Sequence, residues 1–352
     1  MKRLLIGLLF TVMAYSSTET HALSLSTERD LNVRYQNEIS AAWQQGHFSS
    51  FKGMDDINIH FAQFVSEERK QCIVLVPGRS EGYLKYQEFA FDLTNQGFNL
   101  FIIDHRGQGL SDRMLSDKHK GYVASFDHYS DDLHQFIETI VKPQCEKQLY
   151  LLAHSMGGAI SARYLQRYAS PVKAAVLASP MIAINSGGLP DWLAEFIIHT
   201  GNTLSQWLAN EPWYFLGQGS YQHTAFGENQ LMHSKLRYQL FTELYQQHPE
   251  LQLGGVTFHW LEQAIKANKD LFSDIEKLKT PTLVIQAGSD TIVDNHAQNE
   301  FCQQLNSHFA YSCPSGKPIV VENARHEIFF ESDEYRQQGI AQVLDWFNQP
   351  HL

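Results

Sequence analysis

The sequence predicts an α/β fold, a mostly parallel central sheet with helices on both faces and a helical cap insertion. Three observations carry this. Short, continuous runs of β-branched and apolar residues recur along the chain, too unbroken for half-exposed strands. Each run ends in turn residues and is followed by a stretch with helical spacing. One segment, about 182–272, breaks the alternation and is too long for an ordinary strand connection.

The elements follow in order. Met1-Lys2-Arg3, the apolar stretch 4–15 and the small and polar residues up to Ala22 have the grammar of a secretory signal peptide, with cleavage expected after Ala22. An uncleaved anchor is the competing reading, but the apolar stretch falls short of the ~18 residues that argue for a spanning helix. The mature chain is expected to be soluble, periplasmic or secreted. Two strand-like pieces within 48–64 flank the turn residues 52–56 and read as a hairpin. Cys72-Ile73-Val74-Leu75-Val76 is a buried strand ending at Pro77-Gly78, and Tyr86, Phe89, Ala90 and Leu93 give the next helix its apolar face. The pattern repeats with strand 99–103, helix 129–141, strand 148–153, helix 159–168 and strand 174–177. After the long segment come strand 281–286, strand 319–321 and a C-terminal helix ending near Phe347. The domain reading is therefore a signal peptide over 1–22, a first core part over 23–181, a helical cap over 182–272 and a second core part over 273–352. The cap holds Trp192, Trp207, Trp213 and Trp260, which read either as the core of a helical insertion or as the inner face of a lid, and aromatics such as Trp207 and Trp213 are expected to line an acyl-binding surface there.

Composition narrows the function class. A net charge of -11 and the lack of any lysine or arginine run leave no broad basic surface, so nucleic acid is not an expected partner. The four cysteines have no CxxC pair, so zinc is not indicated. An acidic globular chain fits an enzyme, a binding protein or a structural module equally, and local chemistry must decide.

That chemistry centres on Ala153-His154-Ser155-Met156-Gly157-Gly158, where a buried strand turns abruptly into a helix. A serine in such a turn is strained and exposes its hydroxyl, and small residues are needed two places before and after it. Gly157 meets this, and so does Ala153, although the pattern normally has glycine there. A serine capping a helix would look similar alone, so its partners matter. A serine nucleophile needs a histidine base, and the base needs an acid to fix its tautomer. Asp290, in Gly288-Ser289-Asp290, and His326, in Arg325-His326-Glu327, each follow a strand and lie in the required chain order. Asp294 is the runner-up acid, and His296 and His308 are the nearest rival bases. The oxyanion donors are expected to be the backbone amides of Met156 and, in the loop Pro77-Gly78-Arg79, of Arg79. Asp104-His105-Arg106-Gly107-Gln108-Gly109 lacks phosphate-loop spacing and reads as a structural turn beside the site.

Taken in order, Pro77-Gly78-Arg79-Ser80-Glu81, Asp104-His105-Arg106-Gly107-Gln108-Gly109, Ala153-His154-Ser155-Met156-Gly157-Gly158, Gly288-Ser289-Asp290 and His326-Glu327 resemble the bacterial lysophospholipase and monoglyceride lipase group of the α/β-hydrolases, over nearly the whole mature chain. Pro77 and Ala153, where monoglyceride lipases usually have His and Gly, look more like the lysophospholipase branch. The resemblance implies Ser155, Asp290 and His326 as triad, Arg79 and Met156 as oxyanion donors, and no metal or organic cofactor. It implies hydrolysis of the acyl ester of a lysophospholipid or monoacylglycerol, with peripheral membrane contact. A general carboxylesterase, a serine peptidase and a non-catalytic hydrolase-fold binding protein are the other readings. In this fold Cys72 and Cys145 precede neighbouring strands and Cys302 and Cys313 bracket one short connection, so bridges Cys72–Cys145 and Cys302–Cys313 are expected in an oxidising compartment.

Overall fold

Strands whose side chains are apolar on both faces can only be stable inside a sheet covered on both sides, and among the described residues five such strands form the middle of an eight-stranded sheet. In the computed structural model, which describes residues 24–351 apart from Lys70 and Ser186, the eight strands are β1 (His47–Lys52), β2 (Asn58–Phe64), β3 (Gln71–Val76), β4 (Phe98–Ile103), β5 (Gln148–His154), β6 (Val172–Ala178), β7 (Thr282–Ala287) and β8 (Ile319–Val321). Their spatial order is β1-β2-β4-β3-β5-β6-β7-β8. β2 runs antiparallel to β1 and β4, and every other pairing is parallel. The expected signal peptide, 1–22, lies outside the described residues.

Alternation along each strand divides the core into two layers. Val74, Phe101, Leu151 and Leu177 point to one face, where α2 (Asp127–Phe136) contributes Leu133 and Phe136, and α3 (Met156–Arg167) contributes Ile160 and Tyr164. Ile73, Leu100, Leu152 and Val176 point to the other, against Phe89 and Leu93 of α1 (Gln87–Asn95) and Ile340, Val343 and Phe347 of the C-terminal helix Asp333–Asn348. Each such side chain contributes roughly 1.5–3 kcal/mol on burial.

Between β6 and β7 the chain forms α4 (Asp191–Leu208), α5 (Lys235–Gln247) and α6 (Phe258–Ser273). Ser234 and Thr257 cap the last two, their hydroxyls accepting from the amides of Arg237 and Trp260. The insertion is not uniform. Leu261, Ala264, Ala267 and Leu271 of α6 join the same buried layer as α3, and the Asn268 amide donates to the carbonyls of Met181 and Ile182 just beyond β6. α4 joins it only at its edge, through Ile198, and otherwise buries only Asn202 and Ser205. After β7, α7 (Asn295–His308) returns the chain to β8.

Both cysteine pairs are joined, Cys72 to Cys145 and Cys302 to Cys313, with alpha carbons 6.1 and 5.3 Å apart. Non-reducing peptide mapping is expected to recover those two linked pairs, and four free thiols would contradict both. The first bridge closes 73 residues, so replacing both of its cysteines by alanine should remove about 2–4 kcal/mol of stability.

Candidate active site

Ser155 sits at the junction of β5 and α3 with φ 52° and ψ -119°, a conformation a non-glycine residue adopts only when its surroundings impose it. The Ser155 amide donates to Ala178 O at 3.0 Å, and its carbonyl accepts from the amides of Gly158 and Met181, both at 2.9 Å. A Cβ at Gly157 would fall on the carbonyl oxygens of Val76 and Pro77, so the turn can pass β3 this closely only with glycine there.

Two loops at the same sheet edge meet the serine. His326, beyond β8, places Nε2 2.8 Å from Ser155 Oγ, and its Nδ1 lies 2.7 Å from Asp290 Oδ2. Asp290, beyond β7, turns its other oxygen to the amides of Ile292 and Val293 at 2.8 and 3.2 Å. Burial pushes the Asp290 carboxyl up, but the hydrogen bond and charge of His326 and the two amides outweigh it and hold the group below its usual value. Asp290 is therefore an anion at neutral pH, able to stabilise a charged imidazole. The competitors are elsewhere. Asp294 caps α7, accepting from the amides of His296 and Ala297, while His296 and His308 are exposed.

The Pro77–Ser80 loop abuts the serine, since a Cβ at Gly78 would lie 3.1 Å from Ser155 Cβ. The Gly78 amide is already taken, donating to Glu81 Oε2 at 2.5 Å. Met156 opens α3, where helix amides and the dipole favour negative charge. The Asp104–Gly109 segment braces this loop. Gln108 donates to the Gly78 carbonyl at 2.7 Å, and His105 Nε2 lies 3.0 Å from Pro77 O. Burial pushes the His105 imidazole down to about 4, so it stays neutral and donates from that nitrogen.

Sequence reasoning missed the buried charges beneath the site. Lys85 Nζ lies 2.6 Å from Glu81 Oε1 and 2.7 Å from Glu327 Oε1, and Tyr86 donates to Glu81 at 2.5 Å. His154 joins them, with Nδ1 3.4 Å from Glu81 Oε2 and Nε2 3.1 Å from the carbonyl of His326. The cluster thus ties the loop of Gly78 to the loop of His326. Burial lowers the His154 pKa, but Glu81 and Glu327 outweigh it and bring it to about 9. Because that exceeds the unfolded value near 6.5, its stabilising effect is complete below about pH 6.5 and fades as pH rises through about 9. Glu81, His154 and Glu327 are close enough to hold a metal ion, but the Lys85 ammonium already lies between the two carboxylates. His154, Glu81 and Glu327 all stood inside the motifs; what no motif showed was that Lys85 joins them.

Above Ser155 lies a cavity of about 540 Å³, lined on its apolar side by Met181, Phe215, Phe241, Val256, Trp260 and Leu261. The expectation for Trp207 and Trp213 is corrected here, because neither lines this cavity. Trp207 is 78% exposed and Trp213 39%. The buried stripe of α4 is the Ile198, Asn202 and Ser205 face, so Trp207 near its end is turned outward, and the aromatics of the chamber come from Phe215, α5 and α6 instead.

Residues 67–333 match the family model described as serine aminopeptidase, S33. The chain is 37% identical over 310 residues to lysophospholipase L2 of Escherichia coli (strain K12), covering 87% of this chain and 88% of that protein. It is 25% identical to the monoglyceride lipase of Rattus norvegicus, covering 79% and 82%. Its fold is similar to that of a soluble variant of monoglyceride lipase from Saccharomyces cerevisiae, with a TM-score of 0.64, 18% identity and coverage of 86% and 94%.

Proposed function

Because the chain belongs to the serine aminopeptidase S33 family of α/β-hydrolases, and is an esterase-type serine hydrolase, we propose that it cleaves the fatty acyl ester of lysophospholipids or monoacylglycerols through an acyl-enzyme on Ser155. The observation that carries this reading is the Ser155 hydroxyl, 2.8 Å from His326 Nε2, opening into a largely apolar chamber of about 540 Å³.

The steps follow from the geometry. His326 takes the Ser155 proton as Oγ bonds to the ester carbonyl carbon, and the carbonyl oxygen, now negative, is met by the amides of Arg79 and Met156. The ester C–O bond breaks, and the imidazolium returns its proton to the departing glycerol oxygen. Water, deprotonated by the same imidazole, then releases the fatty acid and restores Ser155. Asp290 holds the Nδ1 proton in place throughout. Each methylene buried in the chamber contributes roughly 0.8 kcal/mol, which favours long monoacyl substrates over acetyl esters. The test is fatty-acid release from lysophosphatidylcholine and monoacylglycerol beside hydrolysis of aminoacyl and peptidyl amides. Amide turnover exceeding lipid turnover would replace this reading with a peptidase.

Peripheral membrane contact is part of the proposal, and the outward face of α4 supports it: Trp192, Phe196, Trp207 and Leu208 are all large, apolar and mostly exposed. The double variant Trp192→Ser/Trp207→Ser is expected to bind phospholipid vesicles several-fold more weakly in co-sedimentation, with a short water-soluble ester as control for the active site. Equal vesicle binding would remove α4 from the account. The signal-like 1–22 and the two disulfides support export to an oxidising compartment, periplasmic or extracellular, and the acidic charge balance supports a role without nucleic acid.

A further inference from the structure

Resting on the lipid-esterase reading, we propose that the Arg79 side chain is a phosphate-binding residue, so that the site selects phosphate-bearing lysophospholipids over uncharged monoacylglycerols.

Arg79 stands at a junction. It lines the apolar chamber over Ser155 and also a neighbouring, more polar cavity of about 700 Å³, whose wall mixes Gln218, Ser220, Gln222 and Thr224 with Leu231 and Leu253 and carries one carboxylate, Glu228. An acyl chain suits the first space and a hydrated headgroup the second. In a lysophospholipid only the glycerol carbons separate the scissile ester from the phosphate. One residue can reach both ends if its amide faces the ester oxygen and its long side chain extends toward the headgroup.

The charge of Arg79 is also unanswered. The buried guanidiniums of Arg106, Arg163, Arg237 and Arg336 each meet at least one carboxylate. Arg79 forms no such pair among the described residues. Its Nη1 donates to Ser80 Oγ at 3.2 Å, its Nη2 donates to the Gly254 carbonyl at 2.5 Å, and its Nε has no partner. The guanidinium lies 5.5 Å over the Trp260 ring. Burial lowers its pKa to about 10, so it remains a cation at neutral pH. A largely desolvated cation served only by neutral oxygens is poorly stabilised, and a planar guanidinium is suited to the oxygens of a phosphate. A substrate phosphate would supply the missing anion, and monoacylglycerol has none.

The competing role is mechanical, because the bond to Gly254 also pins the insertion beside the site. The two roles differ in one ratio. Compare kcat/KM for lysophosphatidylcholine and for monoacylglycerol of the same acyl chain in wild type, Arg79→Gln and Arg79→Lys. Any loss common to both lipids, through the Arg79 amide or the Gly254 contact, cancels. The lysophospholipid to monoacylglycerol ratio should fall about 10–100-fold in Arg79→Gln and less in Arg79→Lys, as expected for losing charge-assisted hydrogen bonds. A ratio unchanged from wild type overturns the proposal. A second measurement needs no lipid turnover: sn-glycerol 3-phosphate should protect wild-type Ser155 from a fluorophosphonate probe where glycerol does not, and Arg79→Gln should lose that protection. No difference between glycerol 3-phosphate and glycerol in wild type would likewise overturn it. Were the wild type to hydrolyse neither lipid, the lipid reading would fall, and the protection assay would still decide the phosphate site.

Discussion

Ser155→Ala should lower ester hydrolysis by about 10⁴-fold or more while the protein keeps its fold. The substitution removes the atom proposed to bond to the acyl carbon and leaves the proposed oxyanion amides and the chamber in place, so residual turnover would come from binding and oxyanion stabilisation alone. Alanine also fits the turn, because it is smaller than serine and the constraint on neighbouring small residues is untouched. Steady-state hydrolysis read beside thermal melting separates lost chemistry from lost structure. Near-normal turnover by a folded Ser155→Ala protein would end the assignment of Ser155 as nucleophile. Asp290→Asn should be severe as well, since an amide facing His326 Nδ1 can hold the wrong tautomer. Asp294→Asn should be mild, because asparagine caps a helix about as well as aspartate. The reverse ranking would exchange their roles.

Lys85→Met is expected to have the largest effect on stability, about 3–5 kcal/mol, or a melting temperature lower by roughly 4–7 °C. The methionine would fill most of the space but leave Glu81 and Glu327 buried without the ammonium they share. Without the Lys85 charge that holds the Glu81 carboxyl down, burial would push it up, so that it holds its proton more tightly in the folded protein than in the unfolded chain. A folded pKa above the unfolded one weakens the protein as pH rises, so the deficit should be smaller at pH 5 than at pH 8. Adding Glu327→Gln should recover part of the loss by removing one unpaired charge. Denaturant titrations at the two pH values read this directly, and a change below about 1 kcal/mol would mean that the buried cluster is not held by Lys85.

The consequence should reach activity as well as stability. Glu81 anchors the Gly78 amide and His154 reaches the His326 carbonyl, so one cluster spans the two loops that must meet over Ser155. Buried ion pairs seldom add net stability over apolar packing, and here the pairing also joins two loops distant in sequence.

The parallel α/β architecture could be read from the chain because its cause is local: unbroken apolar strands have to be covered on both faces, and helices with one apolar stripe can cover them. The convergence of Ser155, Asp290 and His326 was legible for a related reason. Each follows a strand, and in a parallel sheet strand ends of that kind share one edge. The Cys72–Cys145 pair followed from the same strand neighbours, and the Cys302–Cys313 pair from the short connection that those two cysteines bracket. Side-chain direction within the insertion was not legible. Helical spacing shows that α4 has apolar residues on more than one side, but which side meets α6 depends on contacts between elements far apart in sequence, and those turned Trp207 outward while Phe215 and Trp260 came to the chamber. The cluster of Glu81, Lys85, His154 and Glu327, and the unanswered charge of Arg79, depend likewise on what lies across a loop. By itself the sequence determined the sheet, its catalytic edge and the residues delivered there, since backbone hydrogen bonding and apolar burial act along each strand. Only the tertiary structure decided which charges are paired, which aromatics line the chamber and which face solvent, because those depend on distances between segments that no local pattern encodes.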